Sequence, residues 1–300
     1  MYKGLKNRAF DIILYIILAL LTFVLLYPLY FVVLASFSEP YEVVSGNVTF
    51  WFKGFTLDSY INVFRESKIW IGYRNTIIYT LFGTMLNLVL TIPAAYALSK
   101  TYMWKRGLFT MYFIVPMYFS GGLLPTYLQV RDLGLLNKPY TLIIMGGISI
   151  YNLVVARTYF QSSIPETLYE AAEIDGCSQY GQFFRIALPL AKPNVAVITL
   201  YYAVARWNNY YDSLIYTTNA QYYSLQMVLR NILMENQNSL SALNTDIVDV
   251  EEMISVMERA YMAESMKYSI IFIASLPMLI LYPFIQKYFV KGAMIGAVKG

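Results

Sequence analysis

Residues 163–189 read SIPETLYEAAEIDGCSQYGQFFRIALP. Four acids fall within ten positions, Glu166, Glu170, Glu173 and Asp175, and the stretch lies between long uncharged runs. Ser163-Ile164-Pro165-Glu166 has the S-x-x-E spacing of a capping box, which satisfies orphan amides at a helix start. A short helix is therefore expected over Thr167–Asp175, closed by Gly176, because glycine tolerates the left-handed conformation of the residue after a helix. Ala171 and Ala172 are small enough to let a partner approach closely, and the acids offer it charge. An amphipathic connector lying on the membrane is the plainer alternative. An acidic helix, however, avoids an anionic inner leaflet.

The flanks decide the fold. A bilayer core needs about 20 consecutive apolar residues in a helix, at 1.5 Å of rise per residue. Such stretches recur at about 12–37, 75–99, 107–130, 139–161, 193–218 and 268–290. The expected fold is an all-α membrane protein with six transmembrane helices: an N-terminus at 1–11, then a single transmembrane domain over 12–300. Composition agrees, since 58% of the residues are hydrophobic and 13% charged, against about 45–50% and 25% in soluble domains. Mean hydropathy is +0.50. Prolines inside the spans (Pro28, Pro93, Pro116, Pro125, Pro277 and Pro283) are expected to kink helices whose neighbours re-satisfy the freed carbonyls.

Six spans put both termini on one side, and the basic residues say which. Lys3, Lys6 and Arg8 precede the first span, Lys100, Lys105 and Arg106 follow the second, and Lys287, Lys291 and Lys299 close the chain. The connection 219–267 is acid-rich instead, with Glu235, Asp246, Asp249, Glu251, Glu252, Glu258 and Glu264. N- and C-termini are thus expected in the cytoplasm, with 162–192 a cytoplasmic loop and 219–267 a long outer loop. Its end is helix-like, with Ile254, Met257 and Tyr261 on one face. Trp51, Phe52 and Phe55 in the first outer loop suit the headgroup zone. The first span is too long for the apolar region of a cleavable signal peptide.

No histidine and one cysteine exclude histidine general bases, Ser-His and Cys-His nucleophile pairs, zinc sites of paired Cys and His, and an internal disulfide. No G-x-x-x-x-G-K-[ST] occurs, so no Walker-A nucleotide site is encoded. A net charge of +4 is too small to argue for nucleic acid. A secondary transporter favours internal repeats and midplane ion-coupling groups, and only Arg206 and Asp212 qualify. A membrane-embedded enzyme acting on lipid or sugar needs clustered acids with a nucleophile or metal partner, and the acids of the loop have none evident.

The run Glu170-Ala171-Ala172-x-x-x-Gly176-x9-Ile186-x-Leu188-Pro189 resembles the EAA loop of bacterial ABC importer permeases. The remainder is similar to the MalG-like branch of the carbohydrate-uptake permeases, and within it to the LplC/YtcP type. The residues that carry this are Asn75-Thr76, Phe119-Ser120-Gly121-Gly122-Leu123-Leu124-Pro125-Thr126, Trp207-Asn208-Asn209-Tyr210 and the ending Lys291–Gly300. The resemblance implies a type I ABC importer permease fold that forms half of a translocation pathway for a carbohydrate, an oligosaccharide above all. It also implies a loop that couples to a separate ATPase through Glu170, Ala171, Ala172, Asp175, Gly176, Ile186, Leu188 and Pro189. Implied partners are a second permease subunit, two ATPase subunits, an extracellular solute-binding lipoprotein and membrane lipid. ATP and magnesium then belong to the ATPase, with no cofactor on this chain, and the location is the bacterial cell membrane.

Span five concentrates groups that suit a sugar: Trp207, Asn208, Asn209, Tyr211 and Asp212. Amides and carboxylates bond hydroxyls, and aromatic faces stack on C–H faces. On a continuous helix Asn208 and Asp212 share a face, as do Trp207 and Tyr211. The same groups would serve equally to tie span five to its neighbours. Tyr118 and Asn152 on spans three and four are further candidates. Arg206 and Asp212 are expected to face protein or a water-filled cavity, because a charge facing lipid costs at least ~2.5 kcal/mol. Ser120-Gly121-Gly122 fits close helix packing better than a locally opened span.

Overall fold

The computed structural model describes residues 5–242, 261–280 and 282–283, and among these every regular element is helical. In chain order they are α1 (Leu5–Ser36), α2 (Pro40–Val44), α3 (Asp58–Arg65), α4 (Ser67–Ser99), α5 (Arg106–Tyr118), α6 (Leu123–Asp132), α7 (Thr141–Ile144) and α8 (Ile150–Ser163). There follow α9 (Glu166–Ile174), α10 (Gln179–Gln182), a π-helical turn Phe183–Ala187, α11 (Leu188–Leu190), α12 (Lys192–Trp207), α13 (Tyr211–Tyr216) and α14 (Leu225–Ala242). The last is α15 (Tyr261–Ile280).

The chain divides into two compact units, residues 1–67 with 229–276, and residues 68–228 with 277–300. In the first, Leu34, Ala35, Val43 and Val48 form a small core with Phe31, Phe52 and Tyr268 against it. Hydroxyls join its elements: Ser59 and Ser265 lie 2.8 Å apart, and Tyr60 donates to Ser36 Oγ at 2.7 Å. Trp51 and Phe55 are exposed, whereas Phe52 packs on this core. The expected face of Ile254 and Met257 lies outside the described residues.

The second unit is built around α4. Ile92, Ala95, Tyr96 and Leu98 of α4 pack with Leu153, Ala156 and Phe160 of α8, Tyr169 of α9, Phe183, Ala187, and Ile198 and Tyr202 of α12. Small and polar residues run along α4 at its buried positions, Asn75, Thr76, Gly83, Thr84, Asn87 and Thr91. Without a hydrophobic drive between helices in lipid, such residues supply close approach and hydrogen bonds.

Among the described residues, three helices are long and apolar enough to cross a membrane: Phe10–Ser36, Ser67–Ser99 and Tyr261–Ile280. The third, fourth and fifth expected spans are not single helices. Span 107–130 breaks between α5 and α6 with a bend of 114°, and α12 follows Gln179–Leu190 at 78°. Span 139–161 becomes α7 and α8, separated at 145–149, and span 193–218 becomes α12 and α13, separated at 208–210. Glycines explain two of the breaks: Gly122 has φ +85° and Gly146 φ +68°, a region costly for other residues. No neighbour lies within 4 Å of where a side chain would start at Gly122, so the Ser120-Gly121-Gly122 run opens a span rather than packing it closely. Span two begins eight residues early, at Ser67 rather than at residue 75. The sixth begins at Tyr261, and 284–290 lies outside the described residues.

Candidate functional site

Helix α9 carries the acids. It starts at Glu166 with Pro165 before it and no side-chain cap. The expected capping box does not form, because Ser163 is taken up as the last residue of α8. The other end forms as expected. Gly176 has φ +74°, its N–H donates to Glu173 O at 3.0 Å, and the Cys177 N–H donates to Ala172 O at 2.8 Å. That pair of bonds is the Schellman motif, which satisfies carbonyls the helix leaves open.

Two faces result. Tyr169 and Ala172, at i and i+3, are buried, while Glu166, Glu170, Ala171, Glu173, Ile174 and Asp175 are exposed. Ile174 is 87% exposed, an apolar side chain standing beside carboxylates. Downstream, Ile186 and Leu188 pack on the core of the second unit, whereas Pro189 is exposed at the start of α11.

The buried face meets a cation that the sequence reading counted only toward topology. Lys100, the first residue after α4, is 4% exposed. Its Nζ lies 2.8 Å from the Tyr169 ring centroid, 5.1 Å from that of Tyr96 and 4.0 Å from Glu166 Oε1. At 4.0 Å the carboxylate attracts the ammonium without bonding it, and Nζ has no hydrogen-bond partner. Burial lowers the Lys100 pKa, Glu166 opposing, and burial with Glu166 pushes Tyr169 up to about 12. No sequence signal separates this lysine from the Lys105 and Arg106 of the same loop.

The pathway candidates do not gather on one helix face, because α12 ends at Trp207. Trp207 is buried, with its ring centroid 6.2 Å from that of Tyr73. Asn208 is exposed, and its Nδ2 donates to Val204 O at 3.0 Å. Asn209 and Asp212 bond each other, Nδ2 to Oδ2 at 2.5 Å and the Asp212 N–H to Asn209 Oδ1 at 3.1 Å. Such local bonds offer the backbone an alternative to continued helix, which accounts for the break. Asp212 borders a cavity of about 10 Å³ with Thr76, Tyr79 and Arg206, which has room for about one water and none for a sugar ring. Asn152 is buried at 5% exposure, whereas Tyr118 is 74% and Tyr211 46% exposed.

Arg206 does face protein. Its Nε donates to Asn87 Oδ1 at 3.1 Å, and its terminal nitrogens donate to Leu142 O at 2.8 Å and Gly146 O at 3.4 Å. Asn87 Nδ2 in turn donates to Gly146 O and Gly147 O, both at 2.7 Å. These are the carbonyls freed by the break between α7 and α8. Gly83 makes the fit possible, since a Cβ there would stand 2.9 Å from Arg206 Nε.

The model of the family described as binding-protein-dependent transport system inner membrane component matches residues 68–295. Protein LplC of Bacillus subtilis is 37% identical over 301 residues, covering 100% of this chain and 98% of that protein. The polygalacturonan/rhamnogalacturonan transport system permease YtcP of Bacillus subtilis is 35% identical over 299 residues, covering 99% and 100%. A crystal structure of a bacterial ABC transporter involved in import of the acidic polysaccharide alginate has a chain 30% identical to this one. It superposes with a TM-score of 0.84, covering 96% of this chain and 99% of that one. A transmembrane fold broken at its spans, an acidic helix presented outward and relatives matched end to end agree: the chain belongs to the family of binding-protein-dependent transport system inner membrane components and is a permease subunit of a bacterial ABC importer.

Proposed function

We propose that this subunit forms half of a translocation pathway for an oligosaccharide. Both termini lie in the cytoplasm, and a separate ATPase docks on α9 with its flanks: Glu170, Ala171, Ala172, Asp175, Gly176, Ile186, Leu188 and Pro189. The observation that carries the coupling role is the division of α9, with Tyr169 and Ala172 inward and the carboxylates with Ile174 outward. A helix closed at its C-terminal end, mixed apolar and acidic on its free side, is a surface for a basic, grooved partner. Glu170 and Ala171 make the first contacts, Ile186 and Leu188 hold the returning chain on the core, and Pro189 turns it toward α12.

The complete assembly is a heterodimer with a second permease, two ATPase subunits that bind ATP and magnesium, and an extracellular solute-binding lipoprotein. The oligosaccharide reading draws on the names of the relatives, which handle polygalacturonan or rhamnogalacturonan, and in the case of AraQ of Halalkalibacterium halodurans arabinooligosaccharides. Within the chain, Asn208, Tyr211 and Tyr118 are the exposed candidates for cargo contact, while Trp207, Asn152 and the Asn209–Asp212 pair shape the segment that presents them. The test is uptake into proteoliposomes that hold the whole complex with its binding protein. ATP-dependent uptake of an oligosaccharide, competed by longer oligomers of the same sugar, is the expected result. Uptake of amino acids or inorganic ions with no sugar transported overturns the reading.

A further inference from the structure

The joint between α4 and α9 holds a buried charge where an apolar side chain would pack more cheaply. Taking an ammonium out of water is costly unless it is paired. Here its near partners are the face of Tyr169 and, at 4.0 Å, Glu166, both on α9, with the Tyr96 ring of α4 and the Tyr102 ring farther off at 5.1 and 6.0 Å. A leucine at this place would adhere to α9 in any of several registers. The ammonium is compensated in one only, with the Tyr169 ring beneath it and Glu166 beside it. Around it the rings of Tyr96, Tyr169, Phe160 and Phe183 interlock, with Tyr96 centroids 6.1, 5.6 and 5.0 Å from the other three.

The far side of the joint leads to the broken spans. Asn87 lies thirteen positions before Lys100 on α4, about 20 Å along a helix axis. It bonds the Gly146 and Gly147 carbonyls, and it also accepts from Arg206. Helix α4 therefore connects the acidic helix to the carbonyls at the break between α7 and α8.

We propose that Lys100 is a positioning residue for energy coupling: its buried ammonium fixes α9 in register on the inner end of α4, so that displacement of α9 reaches the α7–α8 break through α4. The inference rests on the reading of α9 as the ATPase-docking helix. A merely structural lysine would set how much protein assembles. A coupling lysine sets how much transport each ATP yields.

The test uses the whole complex in proteoliposomes and reads two ratios, cargo imported per ATP hydrolysed and ATP hydrolysis with and without loaded binding protein. Lys100→Met keeps most of the bulk and removes the charge. Both ratios fall by about fivefold or more, the lower end of ordinary coupling energies. Lys100→Arg retains a cation able to sit on the Tyr169 ring face and stays within about twofold of wild type in both. Tyr169→Leu removes the ring face and carries the same expectation as Lys100→Met, which keeps the inference testable where Lys100→Met does not assemble. Ratios unchanged in both charge- and ring-removing variants overturn the proposal, as does an equal loss in Lys100→Arg. Glu170→Lys separates the two readings: if the complex keeps its ATPase and full activity, docking on α9 falls, whereas the Lys100 ratios measured in an assembled complex answer for the joint alone.

Discussion

Lys100 and Arg206 are the two cations buried among the described residues, and they meet the cost of burial differently. Arg206 spreads its charge over three acceptors and so serves as a multidentate tie, whereas Lys100 leans on a ring face. The tie is tight enough that Gly83→Ala, whose Cβ would stand 2.9 Å from Arg206 Nε, is expected to lower stability by about 1–3 kcal/mol, the usual range for overpacking. Thermal unfolding of the detergent-solubilised subunit checks this, and an unchanged midpoint refutes it. Trp207 and Asn208 are adjacent and opposite in exposure. Trp207→Ala empties a buried site and should cost about 3–5 kcal/mol, seen as loss of accumulated protein. Asn208→Ala should leave the amount in the membrane unchanged and slow uptake by severalfold to about tenfold, the worth of one hydrogen bond to a neutral sugar. Equal transport per molecule in Asn208→Ala and wild type removes Asn208 from the pathway.

At the scale of the element, α9 depends on how its C-terminal turn closes. A β-branched residue at φ +74° is strained by about 1–2 kcal/mol, and Gly176→Val should weaken the two bonds that close the helix. The expected outcome is loss of cargo-stimulated ATP hydrolysis with normal amounts of protein in the membrane, and normal stimulation counts against the role. This helix and its glycine were legible in the sequence because the signals are local, an acid-and-alanine pattern ended by a residue with unique φ freedom. The capping box was misread because the spacing does not reveal that α8 runs on through Ser163. The breaks in spans three to five were hidden for a related reason. Apolar composition states that a segment can cross a membrane, and it is silent on whether the backbone bends within it. Only Gly122 and the Gly146-Gly147 pair marked two of these places, and the carbonyls freed at the second are answered by Asn87 and Arg206, far off in sequence. Lys100 gave no hint at all, since a lysine after a span reads as topology whether or not it is buried.

As a whole, the chain is a transport subunit of the bacterial plasma membrane, and ATP hydrolysis belongs to another chain. Affinity purification in mild detergent is accordingly expected to recover an ATPase chain and a second permease in fixed proportion, and recovery of this chain alone under all mild conditions contradicts the assembly. Helix α1 bears on how such an assembly is made. It is the most apolar of the three long ones, and none of residues 10–33 is buried within the chain, although Leu34, Ala35 and Ser36 at its end are. Later elements shelter only its last turns, where Tyr268 packs on Phe31 and Tyr60 bonds Ser36, and the rest can leave the translocon for lipid as soon as it is synthesised. The exposed stretch, residues 10–30, also remains bare until a neighbour from outside the chain arrives. An orphan copy thus shows the cell about twenty apolar residues of unclaimed helix. The surface that allows early departure from the translocon is the one left open for a partner's helix to claim.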